Sequence, residues 1–198
     1  LNKKAVEFIL KLCVALNSKI SNQLIFSRKS YFYPDMAKNY QITQYELPLG
    51  NGGNLNLKEG KEVVLKRIHL EEDAGRLQHS SDGKSSLVDF NRAGLPLMEL
   101  VTEPDIKSSD QAVEFAKELQ LILRYLGASD ANMEKGQMRV ELNISLAPEG
   151  IKDLGTKEAG DIMHDYDSGR RILEDKKTGT KTDANVTLNP RTGDVLTA

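Results

Sequence analysis

EVVLKRIHLEEDAG, residues 62–75, decides most of the fold. Its β-branched and apolar beginning reads as a strand over 62–72. In an extended chain successive side chains face opposite ways, so Arg67, His69 and Glu71 share one face while Ile68, Leu70 and Glu72 share the other. The first face ends in a polar cluster. The second is apolar until Glu72, which then projects from the rim of a core. The strand breaks at DAG, where Gly75 permits a turn. Glu71, Glu72 and Asp73 are adjacent carboxylates and repel one another. Either they lie in water on that turn, or something positive holds them.

Working outward, a second strand is predicted in PLMELVTE, residues 96–103, where Glu99 is flanked on its own face by Leu97 and Val101. A carboxylate in that setting is costly unless it is paired or metal-bound. SSLVDF is a further strand, and QMRVELNISL alternates: Met138, Val140, Leu142, Ile144 and Leu146 face one way, Arg139, Glu141, Asn143 and Ser145 the other. Two helices are predicted. The first covers 2–17, capped by Asn2, with Val6, Ile9, Cys13 and Leu16 on one stripe. The second opens on a Ser108–Gln111 capping box, buries Ala112, Phe115, Leu119, Ile122 and Leu126, and stops at Gly127. YQITQYELPLG and GNLNL are extended pieces joined by the turn GNGG. From about residue 147 the chain is rich in Gly, Lys, Asp and Thr and reads as loops and exposed hairpins, with a short helical piece near 161–175. Strands and helices do not alternate strictly, which favours an α+β fold over a doubly wound α/β sheet.

The 198 residues can bury a sizeable core, and a net charge of −2 argues against wholesale electrostatic binding of nucleic acid. The single cysteine, Cys13, builds neither an internal disulfide nor a cysteine zinc site and fits a buried stripe. No apolar run approaches the length of a membrane span.

Hard oxygen ligands such as Glu72 and Glu99 suit Mg²⁺, although ion pairs to Arg or Lys leave the same pattern. In FSRKSYFYPD, residues 26–35, Arg28 and Lys29 stand beside Tyr31, Phe32 and Tyr33, a mixture that binds phosphate, a base or RNA, or else simply anchors a loop. Arg92, on the loop NRAGLP, has the fork to grip a carboxylate or phosphate, or is satisfied within its own loop. The face of Arg139, Glu141 and Asn143 lines a cleft or is the solvated side of a strand. His69, His79 and His164 are not at metal-ligand spacing, and there is no phosphate-binding Gly-x-x-x-x-Gly-Lys-Ser/Thr loop.

Four ordered stretches together carry a resemblance: FSRKSYFYPDMAKNYQITQYELPLG, RIHLEEDAGRLQH, SLVDFNRAGLPLMELVTEPDIKSSDQAVEF and LRYLGASDANMEKGQMRVELNISL. They resemble the B subunits of the aspartyl-tRNA(Asn)/glutamyl-tRNA(Gln) amidotransferases, nearly unbroken over residues 1–146. The resemblance implies an α+β fold: an antiparallel-sheet cradle with flanking helices, like glutamine synthetase. It implies an enzyme that uses ATP and Mg²⁺ to phosphorylate the side-chain carboxylate of a mischarged Glu-tRNA(Gln) or Asp-tRNA(Asn). Ammonia released by an amidase A subunit then displaces the phosphate, with a small C subunit as further partner. Residue by residue, Glu72 and Glu99 match the acidic Mg²⁺ positions, with Glu71 as the alternative to Glu72. Lys29 and Lys38 fall where basic residues line the ammonia channel; Arg28 with Lys29 is placed toward the nucleotide, and Arg92 and Arg139 toward phosphate or carboxylate.

The resemblance also sets expectations of extent. Residues 1–146 form the catalytic cradle without the family's amino-terminal strand and its further ligands, and 147–198 form a divergent remainder of it. The carboxy-terminal helical and tail domains that grip tRNA are not matched. A bacterial cytoplasmic location is implied, with mitochondrion or plastid as alternatives. Two other functions stay open: a carboxylate–amine ligase for a small acid, and a scaffold that docks on the amidase without turnover.

Overall fold

The computed structural model describes residues 2–148, 156–161 and 180–188. In chain order, helix α1 (Lys3–Ala15) is followed by the short strands β1 (Lys19–Ile20), β2 (Ser27–Ser30), β3 (Tyr40–Thr43), β4 (Gly50–Asn51) and β5 (Asn54–Asn56). A 3-10 turn, Lys58–Gly60, leads into the long β6 (Glu62–Glu72). Then come β7 (Arg76–His79), β8 (Ser86–Asp89), β9 (Pro96–Thr102), helix α2 (Ser109–Tyr125), β10 (Val140–Pro148), β11 (Thr156–Asp161) and β12 (Thr180–Leu188). The main sheet runs β1-β4-β6-β9-β12-β10-β11, with β5 also on β6, and all its pairings are antiparallel. β2–β3 and β7–β8 form separate hairpins. The predicted α+β class with antiparallel sheets and two helices is what the described residues show.

Both helices begin as their sequences require. Asn2 Oδ1 accepts from the amides of Lys4 and Ala5 at 3.0 and 3.2 Å. Ser108 Oγ accepts from Gln111 N at 3.3 Å, while Gln111 Oε1 accepts from Lys107 N at 2.9 Å, one residue upstream of the usual reciprocal bond. The buried stripes, Ala5, Ile9, Leu12 and Cys13 on α1 and Ala112, Phe115, Ala116, Leu119 and Leu123 on α2, recur at steps of one, three and four. They share one core with Ile68, Leu70, Met98, Leu100, Val140, Leu142 and Ile144 of the sheet. The opposite face of the sheet is not covered by these helices.

One irregularity places the two faces. The register of β6 against β9 shifts between Leu65 and Arg67. Upstream, Val63 and Leu65 are buried; downstream, Ile68 and Leu70 are. Odd-numbered residues point to the core before the bulge and even-numbered ones after it, so Arg67, His69 and Glu71 are released to the face away from the helices.

The expectation for the end of the chain is corrected over the residues described there, 156–161 and 180–188. Where loops and exposed hairpins were expected, β11 and β12 are strands of the main sheet. β12 lies between β9 and β10, with Leu188 opposite both Leu100 and Val140. Strand pairing is made by backbone groups, and a polar composition does not veto it. The helical piece expected near 161–175 lies outside the described residues, apart from Asp161 at the end of β11.

Gly50 is where α1 meets the sheet: a Cβ there would stand 2.6 Å from Cys13 Sγ and 3.2 Å from Ile68 Cβ. Cys13 is fully buried, and that burial pushes its thiol up to about 12. The folded chain therefore keeps the proton while the unfolded chain releases it from its ordinary value of 9.0, and stability falls as pH rises from about 9 towards 12. Native protein at pH 8 should leave Cys13 unmodified by a thiol reagent, and urea should expose it; rapid labelling of the native fold would contradict the packing.

Candidate functional site

Pairing of β6 with β9 sets His69 opposite Glu99 and Glu71 opposite Leu97. His69, Glu71 and Glu99 thereby meet on the open face. One ligand atom from each lies within 4.8 Å of the other two. His69 Nε2 is 3.4 Å from Glu71 Oε2 and 3.9 Å from Glu99 Oε2. The side chains of His69, Glu71 and Glu99 are 2%, 9% and 18% exposed, so two carboxylates are held close together with little water between them. His69 Nδ1 is buried and has no hydrogen-bond partner. Burial pushes the Glu99 carboxyl above the ordinary glutamate value and the nearby Glu71 pushes it further, while His69, Arg67 and Lys29 act in the opposite direction. A divalent cation at this point would offset both causes; the two carboxylate oxygens suit Mg²⁺ or Mn²⁺, and the imidazole is the softer donor of the set.

The acid run of residues 71–73 is resolved by three separate partners. Glu71 goes to His69. Glu72 turns away and is ion-paired with Lys38, its carboxylate also accepting from Ile42 N at 3.2 Å. Asp73 goes to Arg92 Nη2 at 3.1 Å. The sequence put Glu72 first beside Glu99, with Glu71 as its alternative; the structure brings Glu71 to Glu99. Asp73 is the most buried of the three, and that burial raises its carboxyl while Arg92 pulls it back down.

The other predicted residues divide. Lys29, on β2, is near enough to Glu99 to favour its ionisation, the weakest of the charges that act on it. Lys38 and Arg28 both lie over the Tyr40 ring, at 4.8 and 5.0 Å from its centroid, and Lys38 reaches Glu72 rather than Glu99. Arg92 is used between two loops, donating from Nε to Ala74 O at 3.1 Å as well as holding Asp73, which pins the break after β6 to the turn before β9. Arg139 is paired with Glu141 and favours ionisation of Tyr31, a phenol raised chiefly by burial and then by Asp35. His164 lies outside the described residues. No helix among the described residues is long and apolar enough to cross a membrane.

Sequence reasoning missed His69, because linear spacing between histidines was the criterion. The usable signal was cross-strand: His69 and Glu71 at i and i+2 on one face, beside a neighbouring strand with a single isolated acid. Arg67 was likewise passed over, although it shares that face.

The chain is 45% identical to the B subunit of the aspartyl/glutamyl-tRNA(Asn/Gln) amidotransferase of Nostoc punctiforme, with 88% of this chain and 38% of that protein covered. It is 47% identical to the protein of the same name from Geobacillus thermodenitrificans, covering 88% of this chain and 37% of that protein. The chain thus spans under two-fifths of the length of these relatives. Residues 1–174 match the family described as the GatB/GatE catalytic domain, and the chain belongs to that family.

Proposed function

We propose that this chain is the catalytic portion of the B subunit of a tRNA-dependent amidotransferase that works in translation. In this reading the subunit phosphorylates the side-chain carboxylate of a mischarged Glu-tRNA(Gln) or Asp-tRNA(Asn) with ATP, and ammonia from an amidase A subunit displaces the phosphate. A small C subunit completes the assembly. The cradle is taken to be of the glutamine synthetase kind, in keeping with an antiparallel sheet whose one face is left open by the helices. The observation that carries the reading is the convergence of Glu71, Glu99 and His69 on that face, with Lys29 acting on the same carboxylate.

Phosphoryl transfer to a carboxylate crowds negative charges together, so cations must be in place beforehand. Glu71, Glu99 and His69 would hold Mg²⁺, which supplies charge neutralisation for the phosphoryl oxygens. The chain's own cations supply the rest. Lys29 adds positive charge beside Glu99. Lys38 is fixed between the Glu72 carboxylate and the Tyr40 ring, which holds a cation at a set place near the acids. Cations along the ammonia route would favour neutral NH₃, the nucleophile, over NH₄⁺.

The test is ADP formation by the full-length subunit assembled with its amidase partner, with and without mischarged tRNA. Turnover should require Mg²⁺ and be strongly stimulated by Glu-tRNA(Gln) or Asp-tRNA(Asn). Turnover on a free acid that ignores tRNA would replace the substrate. Tight partner binding with no turnover under any condition would leave only a scaffold.

A further inference from the structure

Glu99 presents its two oxygens to different neighbours. Oε2 faces His69, within the group that includes Glu71. Oε1 faces Arg67 Nη2 at 3.5 Å, the long limit of a hydrogen bond. The Arg67 guanidinium also lies over the ring of Tyr45, 5.1 Å from its centroid, and Tyr45 is itself 66% exposed. Only 20% of the Arg67 side chain is exposed, yet its Nε–H is buried with no acceptor. Arg92 provides the contrast: its Nε and Nη2 are both bonded, to Ala74 O and Asp73. Arginine is rarely desolvated without its planar fork in use, because buried N–H groups are paired almost without exception. Arg67 therefore has donor capacity to spare beside the carboxylate that would hold the metal, and stacking on Tyr45 keeps the guanidinium plane in place.

We propose that Arg67 is a phosphoryl-binding residue, whose guanidinium receives an oxygen of the nucleotide's terminal phosphoryl group next to the divalent ion at Glu71 and Glu99. Arg67 and the ion then flank the Glu99 carboxylate from opposite oxygens, and a phosphoryl group lying across that carboxylate touches both. The inference rests on the function proposed above. It transfers the phosphate-gripping role from Arg92, whose Nε and Nη2 are both bonded, and from Arg139, which is paired with Glu141, to Arg67, whose contact with Glu99 is long at 3.5 Å.

The experiment uses the full-length subunit with its amidase partner as wild type, Arg67→Met and Arg67→Lys. Mn²⁺ binding is followed by electron paramagnetic resonance without nucleotide. β,γ-Methylene-ATP and ADP are then titrated in the presence of Mn²⁺. In Arg67→Met, Mn²⁺ affinity alone should stay within about threefold of wild type, while the ATP analogue should weaken on the order of tenfold or more and ADP far less. Arg67→Lys keeps the charge without the fork, and should restore part of the loss for the ATP analogue. Equal weakening of both nucleotides, no weakening of either, or loss of Mn²⁺ binding by itself would make Arg67 a counter-ion of Glu99 and overturn the inference. If Arg67→Met melts well below wild type, the comparison of ATP analogue with ADP in Arg67→Lys decides the matter on the same terms. A wild type that binds no Mn²⁺-dependent nucleotide would remove the proposed function and this inference together; an intact wild type with unaffected variants removes the inference alone.

Discussion

Glu99→Gln, made in the full-length subunit assembled with its amidase partner, lowers tRNA-dependent amide formation by about 10²–10³-fold or more, while glutamine hydrolysis by the partner stays within about twofold. The side chain keeps its shape and loses its charge. Glu99 is one of only two carboxylates in the His69–Glu71–Glu99 group, and it is the one that also faces Arg67. Without its charge the group offers Mg²⁺ a single anion, with Arg67 and Lys29 close by and uncompensated. Folding should survive. Glu99 is held above its ordinary value chiefly by burial and by Glu71, so a neutral amide relieves that cost and offsets the loss of the long contact with Arg67. The variant should therefore melt close to wild type while failing to make product. Normal formation of Gln-tRNA or Asn-tRNA by this variant would dissociate the acid group from the chemistry.

Phe115→Ala acts on the other face of the sheet, and its effect is on stability. Phe115 is 0% exposed, in the middle of α2, in the same cluster as Ile9, Leu12, Met98 and Leu100. Removing the ring from a closed core costs about 3–5 kcal/mol, from the lost transfer energy and the cavity left behind. A domain typically has about 5–15 kcal/mol in all, so a large fraction of the stability is at stake. Urea unfolding should show a strongly lowered midpoint with little change in slope. A change below about 1 kcal/mol would mean that α2 is not clamped on the sheet as described.

Much of this architecture was legible in the chain because local and long-range signals agreed. The strand over 62–72, both helices and their caps follow from periodicity and from Asn2 and Ser108 alone. Glu99 stood out through its apolar neighbours, Leu97 and Val101, both of which are buried. What sequence could not supply was register. Nothing in the order of residues says that His69 stands opposite Glu99, and this pairing selects Glu71 and leaves Glu72 to Lys38. Nor does composition say that a Thr- and Lys-rich segment such as 180–188 is enclosed between β9 and β10, since the partners that enclose it are about 40 and 90 residues upstream. Arg92 illustrates the remaining limit: an arginine with a free fork and one already engaged by Asp73 look identical until the two loops are brought together.

The extra residue in β6 also governs which length changes the chain can tolerate. Gaining or losing a single position between Val63 and Arg67 would exchange inside for outside along half the strand. Either the helices would meet His69 and Glu71, or Val63 and Leu65 would stand in the cleft. The solvent-exposed turn at 81–85, joining β7 to β8, carries no such penalty and can lengthen freely. Natural variants of this domain should therefore differ in size at that hairpin tip and keep an invariant count through the middle of β6.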